Sequence, residues 1–501
     1  MLNHSRTAIG LLLIASGLLG AMSTAVARDI FVDNVVGSDA GEGSRAKPFQ
    51  TIERAVGALA PSDALHLTPT GQPYVPTHVI SITVGGTTNQ PLVIDGHGAV
   101  ISGLRRYGAA AWTDEGDGVY SLPFVNNTWM KRHWEGFDLV FFDGRPGKSC
   151  VSRAMIEPFG YVLFTQRMQF KELADAPLDV LFIKLPDGQT PADIEVKSAD
   201  RAGLSIGADY VTVRNLTSSW NRGDGFGSGF SHGIVFENVD GSYNMDQGMS
   251  HHSSDVVIRD SHFHHNAGTG VADIRMNSKT SARSRYVNCL IEDDTFRGGV
   301  EFHDGVYTME SCIIRNNAGS VLLLANNPSI SPGGNTAVFR NCVFIGDGSP
   351  AALIEVRQNC GVEFTNCTFA GLGGGIHFSC VVTNHPIRIA HSAFLDCERL
   401  YRVRGFDRGV SAFVATHNYY TPGTITIDNT IYGTNDWDAY CQASGQDADS
   451  LMAPDTQARS PYTPTGLPTG VGATLDPHPV VGPQVPPDTA APVSSWPSPG
   501  W

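Results

Sequence analysis

Val211-Thr212-Val213-Arg214-Asn215, Ile234-Val235-Phe236-Glu237-Asn238 and Val256-Val257-Ile258-Arg259-Asp260 share one pattern: alternating apolar residues closed by a polar one. The pattern returns at 285–288, 307–311, 338–341, 363–366 and 387–391. Its closing residues are Asn215, Asn238, Asp260, Asn288, Ser311, Asn341, Asn366 and His391, spaced by 23, 22, 28, 23, 30, 25 and 25 residues. A second short strand, opened by glycine, follows about 11 residues later at Gly225-Phe226, Gly248-Met249 and Gly270-Val271, with later copies at Gly299-Val300 and Gly375-Ile376. Alternation with period two means strands with one face buried. Short strands in a turn of 22–30 residues, with Gly and Asn at the bends, predict an all-β chain wound as a right-handed parallel β-helix, a solenoid. Leucine-rich repeats have a similar period, but their leucine–asparagine signature is missing.

The closing asparagines have a physical use. Asn tolerates left-handed backbone, and stacked amides can hydrogen-bond from coil to coil. Cys289, Cys312, Cys342 and Cys367 each follow a closing residue, so they are expected inside the coil as small hydrophobes. Stacked at about 4.8 Å with unfavourable vectors for bridging, they are expected as free thiols. No pair has zinc-ligand spacing.

Working outward, residues 28–104 are expected to form an N-terminal cap and the first coils, with an Ala-rich capping helix from Ile52 to Leu59. Residues 105–200 are aromatic-rich and less regular, and are read as a β-rich insertion packed beside the solenoid. Residues 201–440 form the main β-helix. Twelve of the 29 prolines lie between Pro454 and Pro499, so 441–501 is read as an extended or disordered tail, a spacer or tether. At the other end, Arg6, an apolar run over 8–19 and Ala25-Val26-Ala27 have the layout of a signal peptide covering 1–27. A mature chain starting near Arg28 would be soluble, without a transmembrane span, and secreted, periplasmic or on the cell surface.

The 34 Lys+Arg against 49 Asp+Glu leave a net charge of −15, which argues against a nucleic-acid partner. Polar residues crowd one part of the repeat instead. Asp224, Asp246, His251, His252, Asp273, Glu301 and His303 lie in or beside second strands of consecutive coils. Alternation is expected to bring some of them onto an outer wall as a strip. Neighbouring coils about 5 Å apart suit a carboxylate pair of a glycoside hydrolase. Elimination or epimerisation needs a base over a sugar C–H and a cation on the uronate carboxylate. Arg275, Lys279, Arg283 and Arg285, followed by Arg297, are read as a positive patch for an anionic polysaccharide or as a solvated loop. His262, His264 and His265 sit next to the bend and are read as structural or solvent-facing. A calcium ion is compatible with the carboxylates, but no loop has calcium-ligand spacing, and no metal ligands are assigned.

The opening around Gly37-Ser38-Asp39 and Lys47-Pro48-Phe49-Gln50-Thr51-Ile52, together with the coils, resembles the pectin-lyase-like superfamily of exported β-helix proteins over roughly 28–430. That resemblance implies action on polysaccharides as a lyase, hydrolase or epimerase. The stretch His251-His252-Ser253-Ser254-Asp255, with Gly270-Val271-Ala272-Asp273, is similar to the catalytic coils of mannuronan C5-epimerases. That similarity would put the histidine of a DPH triplet at His251, the strand aspartate at Asp273 and the arginine at Arg297. The triplet's aspartate has no match beside His251, and Asp246 is the nearest upstream carboxylate. The leading expectation is therefore a secreted enzyme acting on an acidic polysaccharide by β-elimination or C5 epimerisation. In it His251 and Asp246 handle protons, Asp273 orients, and Arg297 neutralises the substrate. Arg275, Lys279, His252, Glu301, His303 and Asp224 would bind substrate. A glycoside hydrolase on the same coils and a non-catalytic adhesion or binding solenoid are the alternatives.

Overall fold

The computed structural model describes residues 27–124, 140–150, 152–164, 175–199, 203–295, 298–379, 385–408, 412–453, 460–462, 467–477, 479 and 481–482. Strand Val211–Ser219 runs parallel to Ile234–Ser242, which pairs in turn with Asp255–Arg259 and His262–His264. A second sheet is built from the strands that follow each turn: Leu204–Ile206, Phe226–Gly229, Met249–His252, Thr269–Ile274, Gly298–His303 and Leu322–Ala325 pair in sequence. Each coil thus contributes two strands around a bend and a third on the facing sheet, as the repeat predicts.

The bend is made by the closing residues. Asn215, Asn238, Asp260, Asn288, Ser311, Asn341, Asn366 and His391 all have φ between 50° and 54°, the left-handed region that Asn and Asp tolerate best among residues with a side chain. The amides form the expected ladder where two of them meet: Asn238 Nδ2 donates to Asn215 Oδ1 at 2.8 Å, and Asn215 Nδ2 donates to Asp95 Oδ1 at 3.0 Å. Because the bend inverts the alternation, Leu216, Val239 and Phe263 point inward on one side while Val213, Phe236 and Ile258 do so on the other. Aromatic side chains repeat from coil to coil inside, with Phe344, Phe369, Phe394 and Tyr420 stacked at 5.3, 4.6 and 5.0 Å. Cys289, Cys312, Cys342 and Cys367 are buried and free, as expected.

A second ladder, not foreseen from the sequence, fixes the turn before the second sheet. The backbone N–H of Asn221 donates to Asn244 Oδ1 (3.1 Å), that of Asn244 to Asn266 Oδ1 (3.0 Å), that of Asn266 to Asp294 Oδ1 (2.9 Å) and that of Asp294 to Asn317 Oδ1 (2.9 Å). These side chains are buried, so each satisfies a turn N–H that water cannot reach.

Both ends are closed. Helix Ile52–Val56, shorter than the expected 52–59, covers the first coil with Ile52 and Ala55, and the Thr51 hydroxyl caps it by accepting from Arg54 N at 3.2 Å. At the far end helix Trp437–Ser444 buries Tyr440. The insertion leaves after Ser102 and returns at Leu204, whose strand pairs with Ile80–Ile82. It holds two small sheets around its own core of Tyr107, Tyr120, Leu122, Phe142, Leu181 and Val196. It therefore stands above the turn edge that carries Asn221 and Asn244. The Phe141 ring meets Trp220 edge-on at 5.1 Å, and the Arg222 guanidinium lies 4.8 Å from the Phe124 ring.

The described residues of the Pro-rich segment pack more closely than the loose tail expected of it. Ala473 and Val481 are buried with Leu290, Ile313 and Val343 on the outer wall of the solenoid, and Arg315 Nη1 donates to Tyr462 Oη and to Pro477 O, both at 2.8 Å. The wall is apolar there, so the chain gains more by covering it than by staying solvated. Residues 1–26, the expected signal peptide apart from Ala27, lie outside the described residues. Among the described residues no helix is long and apolar enough to cross a membrane.

Candidate functional site

The outward or inward direction of each side chain follows from strand register. In the second sheet His251 is the partner of Ser228 on one side and Asp273 on the other. All three are buried, and His251 and Asp273 have no exposure at all. His251 Nδ1 lies 2.8 Å from Ser228 Oγ, the ring packs against Phe236 at 5.6 Å, and the Ser284 hydroxyl donates to Asp273 Oδ2. Burial lowers the His251 pKa to about 3 and lifts that of Asp273 to about 8. This corrects the expectation that His251 and Asp273 stand on an open wall: they occupy the same phase of alternation as Met249 and Val271, which is the inward one. Arg297 lies outside the described residues.

Its outward neighbours behave differently. His252 points out of the sheet, one position after His251, with Nε2 3.4 Å from Ser250 Oγ. Asp224 and Asp246, in the turns that the buried asparagine ladder holds, are partly exposed. Gln247 N donates to Asp224 Oδ1 at 3.3 Å. Burial and the neighbouring Asp246 push the Asp224 carboxyl well above the usual carboxylate range, against a smaller downward pull from Gln247 N and the Ser250 hydroxyl. Burial also lowers the His252 imidazole. Asp224, Asp246, Ser250 and His252 are thus neighbours on two adjacent coils. Glu301 and His303 are outward as well, hydrogen-bonded at 2.7 Å, but register puts them two coils on, beyond Ala272 and Ile274.

The expected positive patch is dispersed. Arg275 donates to Asn277 O, Ser278 O and Ser331 Oγ and so holds its own loop. Lys279 is exposed in that loop. Arg283 and Arg285 lie on a strand of the first sheet, where Arg285 pairs with Glu310 at 2.8 Å. A loop of basic residues spreads its charge over two walls because the chain changes sheet within it.

The sequence reading passed over a second polar surface. A groove of about 750 Å³ runs along the outer wall of the first sheet, with Thr217, Asp240 and His262 in one column of its floor and Ser219, Ser242 and His264 in the next. Leu104, Arg106 and Lys197 of the insertion wall one side. Trp220 stacks on Tyr243 at 4.5 Å, and Tyr243 on His265 at 4.9 Å. Burial alone would raise the Asp240 carboxyl, but His264, His262 and the Ser242 hydroxyl outweigh it and hold it below its usual value. Burial opposes charge on His264 too, yet Asp240 raises its pKa, while burial and the neighbouring His264 lower His265 to about 4. The period-two reading of His262-Phe263-His264, polar–apolar–polar, was the signal that could have placed both histidines on one outer wall.

The coiled architecture agrees with comparisons to known proteins. The family model described as right handed beta helix region matches residues 192–272. The chain has the right-handed parallel β-helix fold. Solved structures with that likeness include a complex of XylC with xylose, 12% identical, covering 86% of each chain with a TM-score of 0.53. A pectate lyase, Pel9A, is 14% identical, covering 79% of this chain and 80% of its own at a TM-score of 0.49. A glycoside hydrolase is 10% identical, covering 86% and 98% at a TM-score of 0.49. At these identities the likeness is one of fold. No curated protein matches the chain.

Proposed function

We propose that this β-helix is a carbohydrate-active enzyme of the glycoside hydrolase type, with Asp224 as general acid and Asp246 as its partner carboxylate. The observation that carries the reading is the elevated Asp224 beside Asp246 at a partly exposed turn edge. Glycosidic bond cleavage requires a carboxyl that keeps its proton beside a second carboxyl, and the direction of the Asp224 shift suits the first of these roles. The two turns lie on neighbouring coils, and a coil spacing of about 4.8 Å is close to the roughly 5 Å carboxyl separation of retaining enzymes. Asp224 would protonate the leaving oxygen, and Asp246 would attack the anomeric carbon or stabilise its positive charge. The Ser250 hydroxyl would orient the Asp224 carboxyl, with His252 beside that hydroxyl. The signal-like segment at 1–27 supports export of the chain to where polysaccharides are met.

A second reading, β-elimination or C5 epimerisation on an acidic polysaccharide, is favoured by the Glu301–His303 pair on the same outer face. The experiment is a panel of neutral and uronate-containing glycans incubated with the wild-type chain and with Asp224→Asn and Asp246→Asn. New reducing ends without ultraviolet absorbance, lost in both variants, support the hydrolase. An unsaturated product, or activity that survives both substitutions, overturns it.

A further inference from the structure

Asp240, His262 and His264 each offer one ligand atom on the groove floor, and the three atoms lie within 4.8 Å of one another. Register makes the cluster. Asp240 and His262 are partners on neighbouring strands, and His264 lies two residues beyond His262, on the same side of its strand. The two imidazoles are stacked at 4.0 Å.

We propose that these three side chains bind a single divalent first-row transition ion, zinc by preference, leaving one coordination position open to the groove. Zinc bond lengths of about 2.0–2.2 Å set tetrahedral ligand atoms roughly 3.3–3.6 Å apart. Asp240 Oδ2 is 3.1 Å from His264 Nε2 and 3.7 Å from His262 Nδ1. Two nitrogen ligands of three select a transition ion over calcium, which takes oxygens.

The nitrogens facing away from that point are already held. His262 Nε2 is 3.0 Å from Glu292 Oε1, and Arg315 Nε grips the other oxygen of Glu292 at 2.6 Å. His264 Nδ1 is 2.8 Å from His265 Nδ1. A histidine that ligates a metal through one nitrogen donates the other N–H to such a partner, which fixes its tautomer and ring orientation. The Glu292 carboxylate therefore selects the His262 tautomer that leaves Nδ1 free to ligate, and His265 Nδ1 is placed to accept the Nδ1–H of His264. The three residues share the groove lining with Trp220, Leu104 and Arg106, so an ion held there would be placed to polarise a hydroxyl or water bound in the groove. The site is separate from Asp224 and Asp246 and does not depend on their role.

The test uses untagged full-length protein, stripped with chelator and titrated with Co2+, Zn2+ and Ca2+. Expected are stoichiometric Co2+ binding with visible d–d absorption, two paramagnetically shifted imidazole N–H signals, displacement by Zn2+, and no displacement by equal Ca2+. Asp240→Asn and His264→Gln should abolish binding, and Glu292→Gln should weaken it about 10- to 100-fold. The distant His417→Gln should bind as wild type. Absence of stoichiometric binding, equal competition by Ca2+, or binding that survives Asp240→Asn and His264→Gln overturns the proposal. Should those variants fail to fold, the imidazole signals of the wild-type cobalt complex decide, their absence counting against it.

Discussion

His251 and Asp273 are register partners on adjacent strands, and both point into the coil. Their burial gives them opposite dependences on pH. Asp273, lifted to about 8 from 3.8, is protonated in the folded chain and ionised in the unfolded one, so its contribution falls as pH rises from about 4 to 8. His251, lowered to about 3 from 6.5, is neutral when folded and charged when unfolded, so stability is lost as pH falls from 6.5 towards 3. The two slopes oppose each other below 6.5, and Asp273 acts alone above it. Asp273→Asn should therefore flatten the decline in unfolding free energy between pH 6.5 and 8 that the wild type shows, a slope of at most about 1.4 kcal/mol per pH unit. Denaturant melts across that range check it. An unchanged slope in the variant would place the carboxyl in water.

The turn edge should respond differently. Asp224→Asn and Asp246→Asn should each cut the turnover of any glycan cleaved by the wild type by about 10²- to 10⁴-fold, with the thermal midpoint little changed. His251→Phe, by contrast, should act through folding, since the imidazole cannot reach solvent from its inward place. A circular-dichroism melt beside each rate measurement separates the two effects.

Buried Asp447 holds the C-terminal end. It accepts from Tyr401 and Tyr440 hydroxyls at 2.7 and 2.8 Å on Oδ2, and from Tyr420 and Ser450 at 2.9 and 2.6 Å on Oδ1, with Asn418 Nδ2 at 3.1 Å. Asp447→Ala leaves several buried donors without an acceptor, each costing about 1–3 kcal/mol. A loss of at least about 3 kcal/mol in urea unfolding is expected. Asp447→Asn should recover part of it, because one oxygen remains.

The inner asparagine ladder has a comparable test nearer the site. Asn244→Ala removes the acceptor of Asn221 N and strands that N–H, at about 1–3 kcal/mol. Because the same turns carry Asp224 and Asp246, activity should fall with stability, and hydrogen exchange at 221–225 should accelerate first.

Truncation after Ala453 tests the packed carboxy-terminal segment. Leu290, Ile313 and Val343 would lose the cover of Ala473 and Val481. A lower thermal midpoint and binding of a hydrophobic dye are the expected results. Neither change would appear if the segment only tethered the solenoid.

Period, bend chemistry and the inward cysteines were legible in the linear chain, because each is a property of residues a fixed distance apart. Val213, Phe236 and Ile258 announce strands, and Asn215 and Asn238 announce left-handed bends. The same reasoning identified Asp224, Asp246 and His252 as a polar group on successive coils. It could not tell His251 from His252: alternation gives two phases, and only packing assigns one of them to the core. Met249 takes the inward place, so His251 and Asp273 follow it and His252 goes out. Three-dimensional closure also decided that Arg275 would spend its donors on its own loop, and that Ala473 and Val481 of the Pro-rich segment would lie on an apolar wall. It likewise gathered Asp240, His262 and His264 on one floor. A local pattern depends on neighbours along the chain, whereas burial depends on which surfaces meet when the coils stack, and that meeting is not written in any single repeat.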